Sequence, residues 1–361
     1  LIEVGKDHFS NNRFYEAERC FREEGGDQGN LWLGTLFEWT GDYEKAYEHA
    51  LLGADNDHRA CILARIVKHH GDWREAERAC LKFLDGDHGV DVRFELARLY
   101  DKVGEFAKAW EHICIANASQ TPMRINVSKA LTGKWGWDKP STSTEAPIFV
   151  LGMPRSGTTL LDRLLSTHPD VTSLGEYPAT GALLKENPDH TDSMGDLDAQ
   201  AKDWFEGLSG RVVDKTPYNF LRVPFLFGMF PGAKIIHLTR DWRDVMISNW
   251  FHYYTTEEYA WSYSLEEIKY VIRAKDCLMA SWDGKIMDVP YEGLVTDPRF
   301  WMREIQEYCG LKEDWEFLDH RKEAKQLHTY SYEEVRKPIS RASVGKWRNY
   351  QEFAPEVFRC R

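Results

Sequence analysis

The sequence predicts two domains of different class (α + α/β): an all-α repeat array, then an α/β domain built on a central parallel sheet. Three observations carry that prediction. A turn–aromatic–alanine motif recurs four times before residue 110. A short apolar run, a glycine-bearing loop and an amphipathic stretch follow one another between 148 and 168. A second apolar run, 234–239, leads straight into an arginine. At 361 residues the chain has the length of about two domains and can bury a substantial core.

The four repeat segments are Asn12–Ala17, Gly41–Ala46, Gly71–Ala76 and Gly104–Ala109, with alanines 29, 30 and 33 residues apart. In each, the turn residue ends one helix, the aromatic two positions on packs the corner, and the small alanine lets the next helix approach closely. Helix-period positions precede the last three alanines: Leu33, Gly34 and Phe37; Leu63, Ala64 and Val67; Leu96, Ala97 and Tyr100. The pattern resembles the tetratricopeptide repeat (TPR), an antiparallel helix pair of about 34 residues. That resemblance implies a helical TPR solenoid of three to four slightly short units over residues 1–120. Such an array would hold a peptide or protein partner, self-associate, or buttress the domain that follows. A plain helical domain with coincidental turns is the alternative. Residues 121–146 read as a connecting helix and linker, polar and rich in Pro, Ser and Thr after Trp135 and Trp137.

The second domain is expected over 147–361. Ile148–Leu151 suits a buried parallel strand, and Gly152–Thr159 is a loop leading into a helix that ends before Pro169. Strand, glycine-bearing loop and helix present backbone N–H groups and a helix N-terminus to an anion. Gly152 and Gly157 supply the tight turn, and Ser156, Thr158 and Thr159 can donate to phosphate oxygens. A Walker A loop places lysine after its last glycine. Here Gly157 is followed by Thr158, and the positive charge, Arg155, sits mid-loop. The loop is P-loop-like but lacks the lysine that grips β/γ-phosphates. It suits a nucleotide carrying one 5′-phosphate with a transferable group.

Pro154–Leu161 resembles the 5′-phosphosulfate loop of sulfotransferases that use 3′-phosphoadenosine 5′-phosphosulfate (PAPS). It is closest to the tyrosylprotein-sulfotransferase-like branch, which includes members with N-terminal tetratricopeptide repeats. Three further segments fit. Lys234–Thr239, then Arg240, with Ser248 eight residues on, resembles the 3′-phosphate motif, in which a forked arginine and a compact serine converge on one phosphate. The bland alternative is an ion-pair turn capped by Asp241. Ala342–Tyr350 resembles the closing segment over the nucleotide, with Lys346 and Arg348 as phosphate partners and Trp347 at the mouth. Ile286–Leu294 resembles the strand beside the adenosine, where Tyr291 meets base or phosphate, or is simply a packed tyrosine.

The resemblance implies sulfonate transfer from PAPS to an acceptor hydroxyl, releasing the 3′,5′-bisphosphate PAP. Glu176, 21 residues after Arg155, is the expected general base, primed by burial. His168 and His237 are the alternatives, as is a structural Glu176. Lys215, in a Lys-x-Pro setting, is expected to stabilise the oxygen bridging phosphorus and sulfur, unless it is a surface charge. Arg155 and Ser331 complete the expected catalytic set, and fixed cations take the place of a metal. The acceptor stays open among a peptide tyrosine, a carbohydrate and a small molecule. Trp250–Tyr263, densely aromatic, lines an acceptor pocket or packs a helix. The acidic stretch 179–210 reads as a lid or insertion. An ATP-dependent kinase on the same core and a catalytically inert TPR scaffold are the rival functions.

Composition sets outer limits. Lys+Arg 46 against Asp+Glu 58 leaves a net charge of −12, which repels phosphate backbones and argues against nucleic-acid binding. Mean hydropathy is −0.54 and no apolar run reaches a membrane span. Seven scattered cysteines without ligand spacing read as reduced thiols in a cytoplasm. With Leu1 first and no signal-peptide core, the sequence reads as trimmed at its amino end.

Overall fold

The computed structural model describes residues 1–11, 13–127, 130, 139–179, 196–315 and 338–359. The chain divides into two compact units. One comprises Leu1–Met123, Trp250–Leu265 and Trp347–Cys360, the other Arg124–Asn249 and Glu266–Lys346.

The first unit is helical. Its helices are α1 (Ile2–Ser10), α2 (Phe14–Glu24), α3 (Gly26–Thr40), α4 (Tyr43–Leu52), α5 (Asp57–Ile66), α6 (Trp73–Lys82), α7 (Gly89–Val103) and α8 (Phe106–Ala118). Each packs on the next, and α5 also packs on α3 and on α7. The repeated motif explains the joints. Gly41 and Gly104 end α3 and α7 in the left-handed conformation that favours glycine. Asp42 and Asp72 then cap α4 and α6, each accepting a backbone N–H of the first turn. Ala17, Ala46, Ala76 and Ala109 are all buried, where a larger side chain would push neighbouring helices apart.

Two segments that sequence reasoning assigned to the second domain pack in this unit instead. Tyr253 stacks on Phe94 of α7 at 4.9 Å, and Tyr350 lies against Phe106 and Trp110 of α8 and hydrogen-bonds Asp101. Asn117 donates to the Trp250 carbonyl at 3.0 Å. Large rings find their burial partners across long sequence separations, and a boundary drawn from composition near 140 does not register that.

The second unit holds a five-stranded, all-parallel sheet in the order β2-β3-β1-β4-β5. The strands are β1 (Ile148–Gly152), β2 (Val171–Ser173), β3 (Arg211–Asp214), β4 (Lys234–Thr239) and β5 (Met287–Pro290). The helices used below are α9 (Thr158–Leu165), α10 (Leu197–Trp204), α11 (Val223–Met229), α12 (Trp242–Trp250), α13 (Leu265–Ala280), α14 (Tyr291–Thr296) and α15 (Pro298–Cys309). Alternate residues of β1 serve opposite faces of the sheet. Ile148 and Val150 join Leu161, Leu164 and Leu165 of α9 with Met302 and Ile305 of α15. Phe149 on the other face meets Trp204 and Phe230. All five β1 residues are buried, as a central parallel strand requires.

In the connecting stretch, residues 121–127 and 139–146 are not helical and Ala130 is; the rest of it, Trp135 and Trp137 included, lies outside the described residues. The segment is anchored to the α/β unit: Arg124 forms a fork with Glu267, and Asp198 accepts from the Ser141 hydroxyl and the Thr142 N–H, each at 2.6 Å. Asp196 caps α10, so two acids of the expected lid hold structure together, while Asp189 and Asp192 lie outside the described residues. No described helix is long and apolar enough to cross a membrane.

Candidate active site

Parallel strands put all their carboxyl ends on one edge, and each of the five ends here carries a residue singled out from sequence. Arg155 follows β1, Glu176 follows β2, and Lys215, Arg240 and Tyr291 directly follow β3, β4 and β5. β1 and β4 are neighbours whose chains depart in opposite directions, toward β2 and toward β5. Ligands of open α/β sheets settle in the crevice at such a switch point.

The loop after β1 is pinned from several directions. Arg155 adopts φ +68°, the sole positive φ outside glycine among the described residues. Its carbonyl accepts Arg240 Nη1 at 2.8 Å, while its own Nε donates to Ser248 Oγ at 3.1 Å. Buried Asn249, beside Ser248 on α12, donates to the Pro154 carbonyl at 3.0 Å. Arg240 also reaches the Ser343 carbonyl, and Asp244 accepts the Gly345 N–H at 2.6 Å, so 343–345 is held near the loop. The residues expected for the 5′- and 3′-phosphates thus form one network. Asp241 does cap α12 and pairs with Arg243, as the bland alternative had it, but Arg240 takes no part in that pair.

Tyr291 is buried. Its ring lies under the Arg240 guanidinium, 4.4 Å from centroid to cation, and against Gly157. Gly157 has φ +106°, and a Cβ there would overlap the Tyr291 ring. Gly157→Ala combines backbone strain with overpacking, each about 1–3 kcal/mol. It should lower stability by about 2–4 kcal/mol in denaturant unfolding and loosen the Tyr291–Arg240 stack. A wild-type midpoint would refute this account of the glycine.

Among the described residues, the buried polar atoms without a partner include Ser156 Oγ and Arg240 Nε. Both residues line a cavity of about 190 Å³, with Thr239, Trp242 and Lys275 among its other walls. Donors left unsatisfied inside a protein cost free energy unless an acceptor arrives. A phosphate ester is such an acceptor, and the residues present fit one. Thr158 and Thr159, both buried, open α9, whose first-turn amides and dipole also favour an anion.

On the β2–β3 side, the buried Lys215 ammonium donates to Glu176 Oε1 at 2.6 Å. Glu176 is not buried as expected: its side chain is 40% exposed. Lys215 is no surface charge. His168 and His237 are both buried; His168 meets the Lys312 carbonyl, and His237 pairs with Asp288 at 2.7 Å. Burial holds His237 below the usual imidazole range. Lys346 is exposed. Trp347 is buried, falls in the helical unit and stacks on Phe358. Ser331 lies outside the described residues. Sequence reasoning passed over Asn249, Asp244, Asp162 and Ser173. The available signal was a polar residue on an apolar helix face, as in Leu160–Leu165. Among the described residues no cluster of His, Cys, Asp or Glu could hold a metal ion.

The fold and the loop together define a parallel α/β domain with unsatisfied donors lining a cavity at its switch point. Residues 147–209 and 197–316 match the Sulfotransferase family model. An uncharacterized protein of Aquifex aeolicus is 31% identical over 245 residues, 59% of this chain and 32% of that protein. Protein-tyrosine sulfotransferase 1 of Danio rerio is 25% identical over 237 residues, 55% of this chain and 65% of that protein. The chain thus spans about a third of the first relative and just under two thirds of the second. The sulfotransferase domain of the Synechococcus PCC 7002 olefin synthase superposes with a TM-score of 0.42 at 22% identity, over 59% of this chain and 90% of that one.

Proposed function

We propose that this protein transfers a sulfonate from PAPS to an acceptor hydroxyl and releases PAP. The observation that carries the proposal is the network of Arg155, Ser248, Arg240 and Ser156 at the switch point of a sheet whose sequence matches the sulfotransferase family. In this scheme Arg240 and Ser248 hold the 3′-phosphate, and Ser156, Thr158, Thr159 and the loop amides hold the 5′-phosphate. Arg155 neutralises the sulfonate oxygens. Glu176 takes the hydroxyl proton as the acceptor oxygen bonds to sulfur. Lys215 steadies the bridging oxygen as its bond to sulfur breaks and PAP leaves with that oxygen. Ser331 is assigned to the same leaving oxygen.

The acceptor class we favour is a tyrosine hydroxyl in a polypeptide, supported by the relatives named as protein-tyrosine sulfotransferases. We assign the helical unit as a tetratricopeptide array that holds a peptide partner, on its motif spacing, its capped joints and its sequential packing.

Calorimetric titration with PAP and, separately, with ATP-Mg tests the nucleotide. PAP binding without an ATP response is expected; ATP binding without PAP sinks the proposal in favour of a kinase, and silence from folded protein favours a scaffold. Glu176→Gln keeps the side chain's shape but cannot take a proton. It should cut turnover of labelled PAPS about 10²- to 10⁴-fold while leaving PAP affinity within about twofold. Equal losses in both would remove Glu176 from the base role.

A further inference from the structure

The helix behind the loop carries a carboxylate that the reaction scheme leaves unused. Asp162 lies on α9 among Leu161, Leu164 and Leu165 and is only 4% exposed. An ionisable group in an apolar interior is costly unless something holds it. Burial pushes the Asp162 carboxyl above its usual range, opposed by the Ser173 hydroxyl and by the charge of Lys215.

Its hydrogen bond with Ser173 starts a chain of contacts. Asp162 Oδ1 accepts from Ser173 Oγ at 2.6 Å, and Ser173 Oγ accepts the Gly175 N–H at 3.2 Å. Gly175, at φ +63°, turns the chain into Glu176. The Gly175 carbonyl accepts the Lys215 N–H at 2.8 Å, and Lys215 Nζ returns to Glu176 at 2.6 Å. A carboxylate needs no proton to accept, so it holds the serine hydroxyl in one orientation, with the oxygen lone pairs left for Gly175. The next helical turn after the anion loop is thereby tied to the turn that bears the base.

We propose that Asp162, acting through the Ser173 hydroxyl, is a positioning residue that fixes the Gly175–Glu176 turn and so sets Glu176 against Lys215. The consequence for turnover rests on the sulfonate-transfer reading; the strut itself does not. Neither residue is placed in the nucleotide site.

The test pairs amide hydrogen exchange with PAP release from labelled PAPS, using p-nitrophenol or water as acceptor, and with PAP titration. Ser173→Ala and Asp162→Ala should each speed exchange at Gly175 and Glu176 at least tenfold relative to Val171. PAP release should fall about 10- to 100-fold, with the KM for PAPS and the PAP affinity unmoved, since small misplacements of a reacting group are that costly. Ser173→Thr, which keeps the hydroxyl, and Asp162→Asn, which keeps an acceptor oxygen, should restore both readouts. Unchanged exchange, loss of PAP affinity in step with turnover, or an Asp162→Asn as damaged as Asp162→Ala would overturn the proposal. If the wild-type protein binds no PAP, the transfer reading fails; exchange confined to Gly175–Glu176 then still supports the strut, and its absence still refutes it.

Discussion

Arg240→Ala should reduce PAP affinity by about 100-fold or more, the usual result of truncating a half-buried, hydrogen-bonded cation at a charged interface. Two losses combine. The substitution removes a forked donor and the orphaned Nε that would otherwise meet a phosphate. It also frees the Arg155 carbonyl, which Arg240 holds at 2.8 Å, and so withdraws support from a residue whose left-handed backbone costs about 1–3 kcal/mol. Arg240→Lys keeps the charge but cannot hold two carbonyls at once, so its affinity should fall between wild type and alanine. Calorimetry with PAP checks both variants. Wild-type affinity in Arg240→Ala would move the 3′-phosphate away from this residue.

Lys215→Met should separate binding from transfer. Lys215 is 1% exposed, and methionine fills comparable space without charge. PAP carries no sulfonate and no bond to break, so its affinity should stay within a few-fold of wild type. Turnover of PAPS should drop about 10²- to 10³-fold, the loss seen when one preorganised donor to developing charge is removed. The electrostatic surroundings make the change local: Glu176 loses its 2.6 Å partner, and buried Asp162 loses the positive charge that opposes its desolvation. The pair's own contribution to stability is small because Glu176 is substantially exposed to water. Equal turnover in wild type and variant would return Lys215 to a purely structural role.

Much of the site was legible because strand-end chemistry is local. A buried apolar run followed at once by a charged residue, as at Thr239–Arg240 or Asp214–Lys215, marks a parallel strand and its carboxyl end in one stroke. The missing Walker lysine and the substitute Arg155 were equally plain. What could not be read was how much of each side chain is exposed. Glu176 was expected to be buried and is not. Nor could the sequence show that Tyr291 packs against Arg240 and Gly157, because burial depends on what segments far away in sequence bring.

The sequence alone determined the order of helical and parallel-sheet units, the strand–loop–helix at 148–165, and the choice of Arg155, Ser156 and Arg240 as polar groups at strand ends. Periodicity and turn chemistry act over a few residues and need no partner. Only the tertiary structure decided that Trp250–Leu265 and Trp347–Cys360 pack with the helices. It alone showed that Arg240 braces the Arg155 carbonyl, and that Asp162 reaches the Glu176 turn through Ser173. The Arg240–Arg155 contact joins residues that become neighbours only when sheet order is set, and sheet order follows from how whole strands and helices bury one another.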